Sequence, residues 1–328
     1  GFCMSKAPKI VALGAGRMGR GIAQVFAYAG HDVTILDFKE RDVTDSDALL
    51  AAGKAEIKEN LEFLVSLDVL VAAKIPAILE RIHGTSISEA EDVLRDAEYI
   101  FEGVPEVLEL KEDAISRASE LAPETAVIAS TTSTMLVTTL AAFSKHPENF
   151  LNAHFLNPAY LIPLVEVSPS EQTDKAKLKA FTELLESIGK TPVQCKASPG
   201  YIVPRFQSLI MAEAVRMIEE GIATAEDIDR AVTTGFGVRY ATMGPVEFID
   251  WGGVDILHYA NQYLSKELGE RFKAPDVVAQ KIADGHLGMN HGKGFYDFEN
   301  MDVEAYKREK LSTFIALLKH LDLMPKAG

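Results

Sequence analysis

A histidine and a glutamate twelve residues apart, His154 and Glu166, are the side chains of this sequence best suited to acid–base chemistry. His154 ends one apolar, strand-like run, and Glu166 lies between two valines in the next run, over residues 161–167. A buried carboxylate without a partner is costly, because the ionised group loses its hydration. Glu166 therefore either faces solvent or binds a partner, and His154 on a neighbouring strand can be that partner. An imidazole held through one nitrogen can take a proton with the other; a structural ion pair is the alternative.

A glycine-rich turn near the start of the sequence predicts a site for a dinucleotide. The stretch GAGRMG (14–19) has the pattern G-x-G-x-x-G, between a short apolar strand and an amphipathic helix. Gly14 permits the tight turn, Gly16 lets a pyrophosphate approach the backbone, and Gly19 lets the helix pack closely. The start of that helix, which includes Met18, offers free N–H groups to the phosphates. A glycine-rich turn in another kind of α/β protein is the alternative.

An aspartate at the end of the second predicted strand indicates which dinucleotide is bound. The first strand is predicted over residues 10–13 and the second over residues 32–36, followed by Asp37. A carboxylate at this point can accept hydrogen bonds from the ribose hydroxyls of the cofactor. Its charge disfavours a 2′-phosphate, so the sequence favours NAD over NADP. Lys39 and Arg41 leave NADP as the alternative.

Alternating strands and helices predict an α/β fold with a Rossmann-type, doubly wound parallel sheet. Further buried strands are predicted over residues 99–106 and 126–133. In such a sheet, ligands bind at the carboxyl ends of the strands. Glu106, Ser133 and His154 all follow or end strand-like runs, so we expect them on one rim of the sheet.

A change of pattern divides the chain into two predicted domains. The first, residues 4–197, contains the dinucleotide site, and the second, residues 198–328, is a mostly helical C-terminal domain. The second begins at a proline- and glycine-rich joint and shows strand-like alternation only in the brief stretch GFYDF (294–298). Thr224, with Asp227 three residues later, resembles the capping arrangement of a helix N-terminus.

Composition and charge exclude several classes of protein. The net charge of −15 repels phosphate backbones, so no nucleic-acid partner is expected. The apolar runs are far shorter than the roughly 18–20 residues that span a bilayer, so no membrane segment is predicted. The two cysteines, Cys3 and Cys195, can form neither a disulfide framework nor a zinc site, and they fit a cytoplasmic location. No metal is predicted.

Eight stretches of the chain resemble the L-3-hydroxyacyl-CoA dehydrogenase family, in particular its 3-hydroxybutyryl-CoA dehydrogenase branch. They follow the order of the family over nearly the whole chain. The stretches are GAGRMGRGIA (14–23), FEGVPE (101–106), ASTTSTM (129–135), HFLNPAYLIPLVEV (154–167), SPGYIVPR (198–205), EEGIATAEDIDRAV (219–232), MGPVEFIDWGGVD (243–255) and GKGFYDF (292–298).

The resemblance implies catalytic roles for four residues. His154 and Glu166 match the catalytic pair of the family, in which the histidine is the general base and the glutamate orients it. Ser133 matches a serine that can bond the substrate oxygen. Asn157 matches an asparagine placed near the nicotinamide and the substrate. For Ser133 and Asn157, ordinary polar residues at a turn or strand end are the alternative.

Two further matches concern the cofactor, and one departure concerns the substrate. Glu106 and Lys111 match family positions near the nicotinamide half of NAD; a solvated pair at the start of a helix is the alternative. Pro204 stands where the family has an asparagine that contacts substrate, and a proline has no side-chain donor.

The resemblance implies NAD-dependent oxidation of a short-chain L-3-hydroxyacyl-CoA, as in fatty acid metabolism. The predicted loop 235–245 is longer than in typical acyl-CoA enzymes of the family and resembles the L-gulonate dehydrogenase (lambda-crystallin) branch, which oxidises free hydroxy acids. In that alternative, Arg239 holds the substrate carboxylate through two hydrogen bonds, or else forms a surface or domain-interface ion pair. A dinucleotide-binding protein without turnover is the third possibility. Family members commonly form homodimers through the helical domain, here residues 205–222.

Overall fold

The computed structural model describes residues 6–328. Cys3 and Met4, the predicted first residue of the N-terminal domain, lie outside the described residues. The chain forms two compact units that divide after Ile210, within a helix that begins at Val203. The boundary predicted at residue 197 stays a prediction. No helix in the described part of the chain is long and apolar enough to cross a membrane.

The first unit contains one eight-stranded sheet, in the order β3-β2-β1-β4-β5-β6-β7-β8. The strands are β1 (Ile10–Leu13), β2 (Val33–Asp37), β3 (Ile82–Ser86), β4 (Tyr99–Glu102), β5 (Val127–Ser130), β6 (Phe150–Phe155), β7 (Leu164–Pro169) and β8 (Thr191–Gln194). The predicted α/β fold is confirmed, although β3 and β8 have no counterpart among the predicted strands.

The sheet departs from the predicted parallel arrangement at one position. Strands β1 to β6 are parallel, whereas β7 runs antiparallel to β6, and β8 pairs in parallel with β7. The connection from β6 to β7 is too short to hold the crossover helix that a parallel neighbour requires. In this connection, the N–H groups of Leu161 and Ile162 donate to the carbonyl of Pro158. The strand predicted from Leu161 therefore begins only at Leu164.

Helices cover both faces of the sheet. Those of the first unit are α1 (Arg17–Tyr28), α2 (Val43–Ser66), α3 (Ile75–Glu80), α4 (Ala90–Leu94), α5 (Leu108–Leu121), α6 (Val137–Ala141) and α7 (Lys175–Ser187), with short 3-10 turns at Ala72–Lys74, Ile87–Glu89 and Pro147–Asn149. Along β1, Ile10 and Ala12 join one core cluster, while Val11 and Leu13 join the other. This alternation is the two-residue period of a strand. The sheet is therefore buried on both faces.

The remaining helices are α8, which crosses the division between the units, and those of the second unit. They are α8 (Val203–Glu219), α9 (Ala225–Ala231), α10 (Gly237–Tyr240), α11 (Pro245–Gly252), α12 (Val254–Leu268), α13 (Asp276–Ala283) and α14 (Val303–His320), with a π-helix at Val232–Phe236 and 3-10 turns at Glu270–Phe272 and Met289–His291. The predicted cap of α9 is confirmed, because the Thr224 hydroxyl accepts a hydrogen bond from the amide of Asp227 at 3.1 Å.

Two local predictions for the second unit are wrong. The segment 235–240, predicted as part of a loop, is helical, because the π-helix continues directly into α10. The stretch GFYDF forms no strand and makes only the isolated bridge between Lys293 and Asp297. Asp250 of α11 accounts for this second difference. Its carboxylate accepts hydrogen bonds from the amides of Phe295 and Tyr296, at 2.9 and 2.8 Å.

The Asp250 contact predicts a large loss of stability on substitution. Asp250→Ala is expected to lower the free energy of unfolding by about 3 kcal/mol, because it leaves two backbone amides without their charged acceptor. Trp251, the only tryptophan in the sequence, adjoins Asp250, so its fluorescence during urea denaturation reports on this region. The control is Asp297→Ala, which removes an exposed carboxylate that accepts one local amide bond. Equal denaturation midpoints for the two variants would contradict the assignment.

Candidate active site

His154 and Glu166 are direct partners across β6 and β7. The antiparallel register places the two residues opposite each other. Nδ1 of the imidazole lies 3.0 Å from Oε1 of the carboxylate. Glu166 is fully buried, and His154 is 9% exposed. An ionised Glu166 accepts a hydrogen bond from Nδ1–H, and this leaves Nε2 as the nitrogen that can take a proton.

The second oxygen of Glu166 binds the backbone at the start of α8. Oε2 accepts hydrogen bonds from the amides of Ile202 and Val203, at 2.8 and 2.9 Å. The buried carboxylate therefore has three donors, which offset the loss of its hydration. The proline- and glycine-rich joint at residues 198–205 is thus hydrogen-bonded to Glu166. Pro204 lies in the first turn of α8.

Tyr201, which the sequence analysis did not identify, packs on the imidazole. Its ring is parallel to that of His154, with 4.8 Å between centroids and 6° between planes. Its hydroxyl donates to the carbonyl of Thr132 at 2.8 Å and accepts from Nδ2 of Asn152 at 3.2 Å. Burial raises the pKa of this hydroxyl, so that it remains a protonated donor. Only the three-dimensional fold brings residue 201 to this place.

The glycine-rich turn has the backbone geometry that a dinucleotide requires. Gly14 has φ +102°, a conformation that favours glycine. A Cβ on Gly19 would lie 1.8 Å from the carbonyl oxygen of Gly14, so only glycine allows α1 to approach β1 this closely. A Cβ on Gly16 would meet nothing within 4 Å, so the space above this residue is open. The N-terminus of α1 begins at Arg17, beside that space. These features fit a pyrophosphate.

One cavity of about 920 Å³ connects the glycine-rich turn with the histidine. Its wall includes most of the predicted site residues: Gly14, Gly16, Met18, Asp37, Glu106, Ser133, His154 and Asn157. Four predicted site residues are not part of this wall. Gly19 packs beneath the turn, Glu166 lies behind His154, and Lys111 is buried. Arg239 belongs to the second unit.

Asp37 lies at one end of the cavity with one oxygen already occupied. Its Oδ2 accepts a hydrogen bond from the Ser46 hydroxyl at 2.7 Å and forms an ion pair with Nε of Arg41 at 2.8 Å. Asp37 as a whole is only 1% exposed. Oδ1 forms no hydrogen bond or ion pair with a side chain among residues 6–328. The sequence suggested Arg41 as a possible phosphate partner but could not show that it pairs with Asp37.

Lys111 is buried, so the alternative of a solvated pair at a helix start is wrong for this residue. Its ammonium group donates to Oε2 of Glu102 at 2.8 Å and to the carbonyl of Val104 at 3.0 Å. It also lies 3.2 Å from Oε1 of Glu106. Glu102, a buried acid that the sequence analysis did not identify, further accepts from the Ser130 hydroxyl at 2.6 Å. Lys111 therefore fixes the loop that carries Glu106.

Glu106 presents an ionised carboxylate to the cavity. Its Oε2 accepts hydrogen bonds from the hydroxyls of Thr132 and Thr134, at 2.9 and 2.8 Å. Partial burial raises the pKa of this carboxyl, but the Thr134 hydrogen bond and the charge of Lys111 outweigh it, so the net pKa lies below its ordinary value. The residue can therefore accept hydrogen bonds from a bound ligand at neutral pH. Ser133, in the loop after β5 that also carries Thr132 and Thr134, and Asn157, after β6, are exposed to the same cavity.

Arg239 lies on α10, with its guanidinium carbon 4.5 Å from the centre of the Phe248 ring. The side chain is exposed, and it forms no ion pair with an acidic residue among the residues that the structure describes. The predicted surface ion pair is therefore absent from residues 6–328. The guanidinium group retains its hydrogen-bond donors for another partner.

Comparison with known proteins gives a consistent result over most of the chain. A family model for the 3-hydroxyacyl-CoA dehydrogenase NAD binding domain matches residues 9–198, and one for the 3-hydroxyacyl-CoA dehydrogenase C-terminal domain matches residues 200–298. The 3-hydroxybutyryl-CoA dehydrogenase of Clostridioides difficile is 33% identical over 291 residues, which cover 88% of this chain and 99% of that protein.

Two further relatives cover almost all of the chain. The crystal structure of a 3-hydroxyacyl-CoA dehydrogenase from Archaeoglobus fulgidus superimposes with a TM-score of 0.76 and 32% identity, over 97% of this chain and 100% of that one. The 5-formyl-3-hydroxy-2-methylpyridine 4-carboxylate 5-dehydrogenase of Mesorhizobium japonicum is 27% identical over 314 residues, which cover 95% of this chain and 98% of that protein.

The two family models together cover most of the chain, and the first of them describes an NAD-binding domain. NAD is therefore the cofactor, as the glycine-rich turn and Asp37 predict. The chain belongs to the 3-hydroxyacyl-CoA dehydrogenase family and is an NAD-dependent oxidoreductase that acts on a CH–OH group.

Proposed function

We propose that this protein oxidises a short-chain L-3-hydroxyacyl-CoA, such as 3-hydroxybutyryl-CoA, to the 3-ketoacyl-CoA. The observation that carries the proposal is the 3.0 Å contact by which the buried Glu166 holds His154, which lies in the wall of the cavity. A histidine with one nitrogen held by a buried carboxylate is a general base of fixed orientation. The membership of the family supports the substrate class.

In the proposed reaction, Nε2 of His154 accepts the proton of the substrate hydroxyl, and Glu166 stabilises the imidazolium ion that forms. A bound NAD would supply the acceptor for the hydride from C3 of the substrate. Ser133 and Asn157 would hold the substrate oxygen toward the imidazole, and Glu106 would accept hydrogen bonds from the nicotinamide half of the cofactor. In the reverse direction, the protonated His154 returns the proton to the ketone oxygen.

A substrate panel tests the proposal directly. The purified protein is given NAD with L-3-hydroxybutyryl-CoA, longer L-3-hydroxyacyl-CoA thioesters and free 3-hydroxy acids, and NADH formation is measured by absorbance. We expect turnover of the short-chain thioester with the highest kcat/KM. If NAD binds but no compound reduces it, a dinucleotide-binding protein without turnover becomes the better account.

A free hydroxy acid is the second candidate substrate, and the exposed guanidinium of Arg239 favours it. In this alternative, Arg239 holds the substrate carboxylate through two hydrogen bonds. The Mesorhizobium relative is named for a substrate that carries a carboxylate. Arg239→Gln is then expected to raise KM for free acids about tenfold without changing KM for the thioester. Arg230→Gln, at an exposed position of the preceding helix, is the control.

We propose that Asp37 binds the adenosine ribose of the cofactor. Substitution of Asp37 should therefore change the preference for NAD over NADP. Asp37→Ala is expected to weaken NAD binding about tenfold and to relax the discrimination against NADP, because Arg41 loses its carboxylate partner and can meet a 2′-phosphate. Titration calorimetry with both cofactors measures the effect. Asp47→Ala, on the exposed side of α2, is the matched control. Unchanged NAD affinity in the Asp37 variant would remove it from the ribose site.

A homodimer through α8 is proposed from the apolar residues that this helix exposes. Leu209, Met211 and Val215 are each at least 60% exposed, and an apolar face of this kind is typical of an interaction surface. Val215→Glu is expected to convert the dimer to monomer, because dimerisation would bury an unpaired charge. Light scattering after gel filtration measures the mass. Ala279→Glu on α13 is the control, and a wild-type protein that elutes as a monomer would contradict the proposal.

We also propose a cytoplasmic location and a small-molecule substrate as the principal partner. The location is supported by the two cysteines, which fit a reducing compartment. Cell fractionation with an antibody against the native protein tests this proposal.

A further inference from the structure

We propose that Tyr201 is a positioning residue that holds the imidazole of His154 and favours its protonated form during proton transfer. The inference rests on the proposed function, in which His154 is the base. The two rings are stacked, with 4.8 Å between centroids and 6° between planes. Tyr201 is buried and does not belong to the wall of the cavity, so it acts through His154 and not on the substrate itself.

The hydroxyl group fixes the tyrosine ring against the imidazole. It donates to the carbonyl of Thr132 and accepts from Asn152, which lies on β6 two residues before His154. Asn152 also donates to the carbonyl of Met135 at 3.0 Å. The ring cannot leave the imidazole without breaking two buried hydrogen bonds, and each unmade bond of this kind is costly. His154 is therefore confined between the ring and Glu166.

The backbone at Tyr201 also leads directly to the two amides that bind the carboxylate of Glu166. Its φ of +46° lies in the left-handed region, which a residue with a Cβ rarely adopts. The next two amides, those of Ile202 and Val203, donate to Glu166. Such a backbone conformation persists only where the surrounding contacts determine it. Residues with this conformation often lie at functional sites. One short segment thus holds the histidine through a ring and the glutamate through the backbone.

Stacking also affects the charge of the imidazole. The face of an aromatic ring carries partial negative charge and attracts a cation. The imidazolium ion that forms when His154 takes the proton would lie against this face, with Glu166 at Nδ1. The other titratable groups close enough to act on Tyr201 are Glu106, after β4, and Cys195, after β8. Both remain unchanged in the variants below, so a difference in pH dependence reports on the ring.

Two substitutions separate this role from that of an ordinary buried tyrosine. Tyr201→Phe keeps the ring and loses both hydrogen bonds of the hydroxyl, and we expect kcat within about threefold of wild type with an unchanged pH profile. Tyr201→Leu removes the ring. Its kcat is expected to fall about tenfold, with KM and the Kd of NAD within about twofold. The midpoint of the kcat/KM profile for oxidation should move to lower pH, because the imidazolium ion is less favoured.

A role in structure alone would lower the thermal stability of both variants and leave the pH profile of the folded protein unchanged. A folded Tyr201→Leu protein with wild-type kcat and an unshifted profile would overturn the inference. If Tyr201→Leu does not fold, Tyr201 can instead be replaced by pentafluorophenylalanine and compared with Tyr201→Phe. The fluorinated ring keeps the shape of phenylalanine, but the partial charge of its face is reversed. We expect the shift to lower pH here too, and equal profiles would overturn the inference.

Nitrogen NMR of the histidine rings in the NAD complex makes the same comparison without a substrate. The His154 signal is assigned through its loss in His154→Gln, and its titration midpoint is expected at lower pH in the variants with a missing or fluorinated ring. Equal midpoints would overturn the inference even if the enzyme is active. A wild-type protein that turns over no substrate would instead refute the proposed function, while the NMR comparison would still decide this inference.

Discussion

Replacement of His154 by glutamine is expected to lower kcat about a thousandfold while the Kd of NAD stays within about twofold. Glutamine has nearly the size of the imidazole and can bond Glu166, but it cannot accept the proton of a hydroxyl group. His154 contributes one wall of the cavity, whereas the glycine-rich turn and Asp37 form the other end. Loss of the base should therefore affect the chemical step and not the binding of the cofactor.

The chain offers a matched control for this prediction. His146 also has Nδ1 near a glutamate, at 3.5 Å from Oε1 of Glu148, and it is not part of the wall of the cavity. His146→Gln is expected to keep wild-type kcat. Stopped-flow measurement of NADH formation and calorimetry with NAD give the two quantities. A folded His154→Gln protein that has lost NAD binding, or that retains more than about a tenth of wild-type kcat, would contradict the assignment.

The second prediction is that Glu166→Gln lowers kcat about a hundredfold without changing the fold. A side-chain amide can still accept the amide bonds of Ile202 and Val203 through its oxygen. Its NH₂ group then faces Nδ1 of His154, and this favours the tautomer in which Nδ1 accepts and Nε2 carries the proton. That tautomer cannot act as the base. The imidazolium ion would also lose the charge that stabilises it.

Glu148→Gln, in the second histidine–glutamate pair, is the control for this substitution. Circular dichroism and a thermal melt establish that both variants are folded, and initial rates with the preferred substrate give kcat. We expect Glu166→Gln to lower kcat with little change in KM, since the carboxylate does not line the cavity. A kcat within about threefold of wild type would show that the imidazole needs no carboxylate.

Local sequence patterns predict the elements that carry the cofactor site. The strand predicted over residues 10–13 is β1, and the second strand ends at Asp37 as expected. Glycine conformation, apolar alternation and helix termination are short-range properties, so they can be derived from a few neighbouring residues. The pairing of His154 with Glu166 also follows from two adjacent strands, although the resemblance to a family was needed to favour it as a catalytic pair.

Contacts between distant segments could not be predicted in this way. The stacking of Tyr201 on His154 and the pairing of Arg41 with Asp37 depend on how the backbone turns after a strand or at the joint. Lys111 has the pattern of a solvated helix residue, yet it is buried, because Glu102 lies beneath it at the end of β4. A lysine can be buried only with such partners, and the sequence does not display them as neighbours.

The antiparallel β7 shows the same limit at the level of the sheet. An apolar run with one acid predicts a buried strand but not its direction. Its direction follows from the short connection after β6, where a turn around Pro158 replaces the helix of a parallel crossover. This reversal gives the register that places His154 opposite Glu166. The sequence therefore predicts that the two residues lie on neighbouring strands, but not the antiparallel register that brings their side chains together.

The role of His154 can be observed in a crystal structure of the ternary complex with NAD and a bound 3-ketoacyl-CoA product. In that complex, we expect Nε2 of His154 to lie within hydrogen-bond distance of the ketone oxygen, Nδ1 to remain bound to Glu166, and C3 of the product to face C4 of the nicotinamide ring. An imidazole turned away from the product, or a product bound outside the cavity that joins Gly16 to His154, would contradict the proposed role of His154.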